Sequence, residues 1–62
     1  MKSFALKIRK IREDSGHTQG DLAQILGISR PAVSNIESGK RALTLEEAFS
    51  LAQYYGLSLI HI

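Results

Sequence analysis

Cysteine and tryptophan are absent from this chain of 62 residues, and proline occurs once. Without cysteine there is neither a disulfide framework nor a thiolate metal site. The two histidines, His17 and His61, stand far apart with no partner at ligand spacing, so no metal and no cofactor is expected. Charge of one sign is scarce too: eight Lys and Arg against six Asp and Glu leave a formal net charge of +2. No apolar run approaches the roughly 18 residues of a membrane-spanning helix. The first residues lack the apolar core of a secretory signal. These absences predict a cytoplasmic protein without a membrane partner, and the lack of cysteine fits a reducing compartment. Catalytic constellations are missing as well: there is no cysteine nucleophile, no serine–histidine pair in a plausible setting and no glycine-rich phosphate loop. The chain is therefore not expected to be an enzyme.

What is present fits one small domain. A chain this short buries a modest core, and with no disulfide or metal to support it, a partner subunit is the remaining source of stability. The cations are unevenly spread. Five of the eight fall in the first twelve residues, namely Lys2, Lys7, Arg9, Lys10 and Arg12.

Gly16, Gly27, Gly39 and Gly56 each follow a segment with helical apolar spacing, at the place where a helix closes in the left-handed conformation. Four helices are predicted on that punctuation. The first places Phe4, Ile8, Ile11 and Ser15 on one face, with Lys7 and Lys10 opposite and Leu6 off the stripe. The second opens on Thr18 as N-cap with Asp21 three residues on, and buries Leu22, Ala23 and Leu26. The third opens on Ser29, carries Pro31 in its first turn where a missing N–H costs little, and turns Val33 and Ile36 inward. The fourth opens on a Thr44–Glu47 capping box and presents Leu45, Ala48, Leu51, Ala52 and Tyr55 as its core face. The segment Leu57–Ile62 reads L-S-L-I-H-I, without helix caps, and is predicted to be a strand. The expected division is therefore residues 1–56 as the helical domain and 57–62 as a tail.

Only Gly27, Ile28 and Ser29 separate the second and third helices. A short glycine-containing turn between two helices is what a helix-turn-helix requires. Ala23 is small where the third helix crosses the second. Val33 and Ile36 hold the third helix on the core, so its other side faces outward. That side carries Arg30, Pro31, Ser34, Asn35 and Ser38, short or forked polar groups suited to the base edges of a major groove. Asn35 fits adenine bidentately, Arg30 fits guanine or a phosphate, and Pro31 or Ala32 can meet a thymine methyl. The competing reading for each is an ordinary solvated helix residue. Lys40 and Arg41 in the following loop are phosphate candidates, with a solvated loop as the alternative.

Taken together, Thr18-Gln19, Leu22-Ala23, Leu26-Gly27-Ile28, Ser29, Val33, Ile36 and Glu37 resemble the helix-turn-helix of the Cro/cI/Xre-type repressors. Ile8, Ile11, Arg12-Glu13, Ser38-Gly39-Lys40, Leu51-Ala52 and Tyr55-Gly56-Leu57 extend the resemblance over most of the chain. It implies an all-α, four-helix, lambda-repressor-like domain that binds a double-stranded DNA operator as a dimeric transcriptional repressor. It further implies that Gln19 and Ser38 join Lys40 and Arg41 on phosphates, and that Arg12 and Glu37 form an ion pair anchoring the third helix. The tail is similar to that of HipB-type antitoxins, a strand shared between subunits. This adds a variant in which the protein is an antitoxin with a toxin as second partner. Both faces of the expected strand carry apolar groups and its edges lack a sheet to join, so Tyr54, Leu57, Leu59, Ile60 and Ile62 are the expected homodimer contact, with His61 an interface or surface residue; the alternative is a short helical or disordered tail with dimerisation elsewhere or absent. The competing function is a protein-interaction adaptor that keeps the fold without binding DNA. The polar outward face of the third helix argues against it.

Overall fold

The computed structural model describes residues 2–56. They form α1 (Lys2–Asp14), α2 (Gln19–Leu26), α3 (Arg30–Glu37) and α4 (Leu45–Tyr55), with no strand among the described residues. The expected tail strand, with Leu57, Leu59, Ile60 and Ile62 of the expected dimer contact, lies outside the described residues.

Side chains set three of the helix starts. Thr18 Oγ1 accepts the Asp21 backbone N–H at 3.0 Å, and the Asp21 carboxylate accepts the Thr18 N–H at 2.9 Å. Thr44 and Glu47 repeat this reciprocal arrangement at α4, at 3.1 and 3.0 Å. Ser29 caps α3 with a longer bond of 3.3 Å from the Ala32 N–H. Each cap satisfies amide groups that a helix start otherwise leaves open.

The closures of α2 and α3 share one geometry. At the end of α2 the Gly27 N–H donates to Gln24 and the Ile28 N–H to Ala23; at the end of α3 the Gly39 N–H donates to Ile36 and the Lys40 N–H to Asn35. This pattern needs a left-handed residue, and Gly27 and Gly39 supply φ of 69° and 81°. A side chain at either position would meet open space but would strain the backbone.

The core is built from all four helices: Ile8 of α1, Leu22, Ala23 and Leu26 of α2, Val33 and Ile36 of α3, and Leu51 of α4. Val33, Leu22 and Ile8 are the most completely buried side chains, and burying each contributes roughly 1.5–3 kcal/mol. Ile28, Leu43, Ile25 and Tyr55 pack against this cluster from its edges. Ala23 is buried in this cluster together with Val33 and Ile36 of α3.

Two helix faces differ from the expected ones. In α1 the buried positions are Ala5, Ile8 and Arg12, while Phe4 and Ser15 are exposed and Ile11 is half-buried. The inward pull of Arg12 on a buried carboxylate turns the helix away from the purely apolar stripe. In α4 the buried positions are Glu47, Leu51 and Ala52, whereas Leu45 is 72% exposed. Leu45 occupies the first turn, and Glu47 fills the inner position beside it.

Candidate nucleic-acid interface

The α2–turn–α3 unit follows from the local chemistry above. Gly27 ends α2, Ser29 starts α3 two residues later, and Ile28 between them tucks into the core. Burial of Val33, Ile36 and Glu37 then fixes the rotation of α3. Arg30, Pro31, Ser34, Asn35 and Ser38 are all exposed on its outer side. Ser38 Oγ donates to the Asn35 carbonyl at 3.1 Å, and the Lys40 and Arg41 amides close on the same carbonyl. The last turn of α3 and the loop after it are therefore tied to the backbone of Asn35.

Behind this face lies a polar network. The structure brings Arg12 and Glu37 together across 25 residues of sequence, with Nε donating to Oε2 at 2.7 Å and Nη2 to Oε1 at 3.1 Å. Their side chains are only 11% and 4% exposed. The hydrogen bond to Glu37 raises the Arg12 pKa further above its ordinary value, so the guanidinium stays charged despite burial. Arg12 also donates to the His17 carbonyl at 2.9 Å, and Gln19 donates to Glu37 Oε1 at 3.2 Å. One carboxylate at the end of α3 thus holds α1 through Arg12 and the first turn of α2 through Gln19. Among the described residues no buried side-chain nitrogen or oxygen lacks a partner.

Sequence profile and relatives agree with this geometry. The profile of the helix-turn-helix family matches residues 8–62. The chain belongs to the Cro/cI/Xre-type helix-turn-helix family. Among curated relatives, a protein of Thermococcus kodakarensis described as an HTH-type transcriptional regulatory protein is 36% identical over 52 residues, 84% of this chain and 16% of that protein. A similarly described protein of Methanoregula boonei is 38% identical over 53 residues, 86% of this chain and 16% of that protein. One from Saccharolobus islandicus is 35% identical over 60 residues, 97% of this chain and 19% of that protein. The helix-turn-helix chain therefore spans less than a fifth of the length of these relatives. No helix among the described residues is long and apolar enough to cross a membrane.

Other site residues of this helix-turn-helix chain are placed as follows. Lys40 is exposed beside the end of α3. Arg41 turns the other way. Its Nη1 and Nη2 donate to the two carboxylate oxygens of Glu47 at 2.9 and 2.8 Å, with side chains 34% and 9% exposed. The Arg41 guanidinium, followed by the Thr44 amide, holds the Glu47 carboxyl down to about 2, well below the ordinary carboxylate range. The Thr44–Glu47 spacing marks Glu47 as a helix cap and gives no sign of its second partner. A separation of six residues across a helix start matches no regular pairing rule, so no local signal announces it. Tyr54 is exposed and stacks edge-on against Tyr55 with ring centroids 5.2 Å apart. His17 Nδ1 and the Tyr55 hydroxyl share a hydrogen bond of 2.8 Å, which ties the α1–α2 loop to the end of α4.

Proposed function

We propose that the chain is the DNA-binding module of a transcriptional repressor, with α3 lying in the major groove of a double-stranded operator. The exposed row Arg30, Pro31, Ser34, Asn35 and Ser38 on a helix whose inner side is buried is the observation that carries this reading. Asn35 and Arg30 are the base-reading residues, with Ser34 and Pro31 beside them. Gln19, Ser38 and Lys40 meet phosphates, and Gln19 comes to the groove edge already oriented by Glu37. Arg41 is engaged with Glu47, so it contributes to phosphate binding less than Lys40. Family membership and the regulatory names of the relatives support the regulatory role, and repression follows if the bound operator overlaps a promoter.

Operators of this kind are read by dimers whose recognition helices lie one helical turn apart, about 34–36 Å. A homodimer is therefore part of the reading. Exposed Leu45 and Phe49, one turn apart on α4, offer apolar surface that a second copy would cover, and residues 57–62 follow α4 and Gly56 in sequence. The antitoxin variant, with a toxin partner, rests on residues 57–62 alone and carries no weight here.

The test is selection of bound duplexes from a random pool, followed by titration of variants. An enriched near-palindromic site is expected. Asn35→Ala should then cost about 1–3 kcal/mol on that site and relax one base position, while Lys40→Ala should weaken all duplexes alike. A pool that shows no enrichment, with binding equal on all sequences, would remove the sequence-specific reading.

A further inference from the structure

Between α1, the start of α2 and the outer side of α3 lies an open depression of about 260 Å³, lined by Arg9, Arg12, Gln19, Ser34, Glu37 and Ser38. Its floor is the Arg12–Glu37–Gln19 network. The Glu37 carboxylate accepts three hydrogen bonds there and is almost fully buried, so its negative charge is matched and turned inward. What stands at the rim is hydroxyl, amide and cation. Ser34 and Ser38 come from α3, Gln19 from α2 and Arg9 from α1.

Arg9 shares this depression with three residues that the proposed function sets against DNA. A duplex seated on α3 would bring a flanking phosphate over the same rim. The arginine fork matches two phosphate oxygens, and the arginine side chain is 56% exposed and able to reach. Its partner is Glu13, one turn further along α1, with Nε and Oε2 3.3 Å apart and the glutamate side chain 53% exposed. Such a solvated pair contributes little and is readily exchanged for a stronger anion.

We infer that Arg9 binds a phosphate of the DNA backbone, carrying the interface from the helix-turn-helix onto α1, and that Glu13 competes with that phosphate for the guanidinium. The inference rests on the proposed DNA-binding function. It separates Arg9 from Lys7 and Lys10, which are exposed on the same helix but do not line the depression.

The experiment is fluorescence anisotropy of the full chain on a labelled random-sequence duplex of about two helical turns, repeated over a range of salt concentrations. The variants are Arg9→Gln, Glu13→Gln, their double and Lys10→Gln, with thermal melts to confirm that each folds. Arg9→Gln is expected to lower the slope of log affinity against log salt by about 0.9 and to weaken binding several-fold at low salt. Lys10→Gln should change the slope less than half as much. Glu13→Gln should tighten binding, and that gain should vanish in the Arg9→Gln background. An Arg9→Gln slope equal to that of the unmodified chain overturns the inference while leaving the DNA-binding reading intact. An equal loss for Lys10→Gln overturns it too, because the effect would then be overall charge. Absence of salt-dependent binding by the unmodified chain overturns both.

Discussion

Two arginine–glutamate pairs bracket α3, alike in chemistry and unlike in setting. Arg12 and Glu37 join the end of α3 to α1, are nearly buried, and recruit His17 and Gln19 as further partners. Arg41 and Glu47 join the loop after α3 to the start of α4, six residues apart, with the arginine one-third exposed. The first pair closes a long stretch of chain and has little water to fall back on. The second spans a short loop, and its arginine stays in contact with solvent while Glu47 is buried. A similar two-oxygen contact should therefore set the position of α3 in one case and trim a loop in the other. Burial, not hydrogen-bond length, separates them.

The largest effect should come from breaking the buried pair. Glu37→Ala removes both hydrogen bonds from Arg12 to a carboxylate and leaves the buried guanidinium only the more distant, exposed Glu13 at 3.9 Å, so it should cost roughly 3–5 kcal/mol in urea unfolding, enough to unfold a domain of this size at ordinary temperature. Arg12→Met combined with Glu37→Leu should recover most of that loss, because two apolar groups leave no stranded charge. A double-mutant cycle with no coupling would erase the contrast between the two pairs.

Removing the cap beside the part-buried Arg41–Glu47 pair should cost less. Thr44→Ala deletes the hydroxyl that accepts the Glu47 N–H, and a loss of about 1 kcal/mol is expected in thermal unfolding. Thr18→Ala, at the equivalent cap of α2, should cost a similar amount. A much larger loss at Thr44 would mean that the cap and the Arg41 contact act as one unit.

The part-buried Arg41–Glu47 pair itself is best seen through acid. The Glu47 carboxyl is ionised more readily in the fold than its ordinary 4.5, at about 2. A depressed folded value stabilises fully above the ordinary value and progressively less as pH falls toward the folded one. The difference in melting temperature between the unmodified chain and Glu47→Gln should therefore be greatest above pH 5 and shrink between about pH 4.5 and 2. Glutamine keeps one carbonyl oxygen for the Thr44 amide, so the difference reads chiefly the Arg41 pairing and, second, the charge on the cap. A difference that stays constant over this range would mean the carboxylate gains nothing from Arg41.

The candidate interface was more legible than its support. The turn Gly27–Ser29, the caps Thr18, Ser29 and Thr44, and the outward row on α3 all follow from local rules, since each depends on residues within one or two turns. The face of α1 was less legible. Arg12 displaced the apolar stripe because its partner lies 25 residues away, and periodicity alone assigns a charged residue to solvent. Only the family pattern linked Arg12 to Glu37. For Arg41 and Glu47 neither pattern nor resemblance gave a signal.

By itself the sequence determined where the helices begin and end, because capping hydroxyls and left-handed glycines act within a few residues of where they stand. It also determined which side of α3 faces out, because Val33 and Ile36 recur at helical spacing. Tertiary structure alone decided that Leu45 lies outside the core and Glu47 within it, that Arg41 turns from the solvent onto that carboxylate, and that Arg9 stands at the rim shared with Gln19, Ser34 and Ser38. Those outcomes depend on how helices distant in the chain approach one another, and helical spacing carries no record of the distance between two helices.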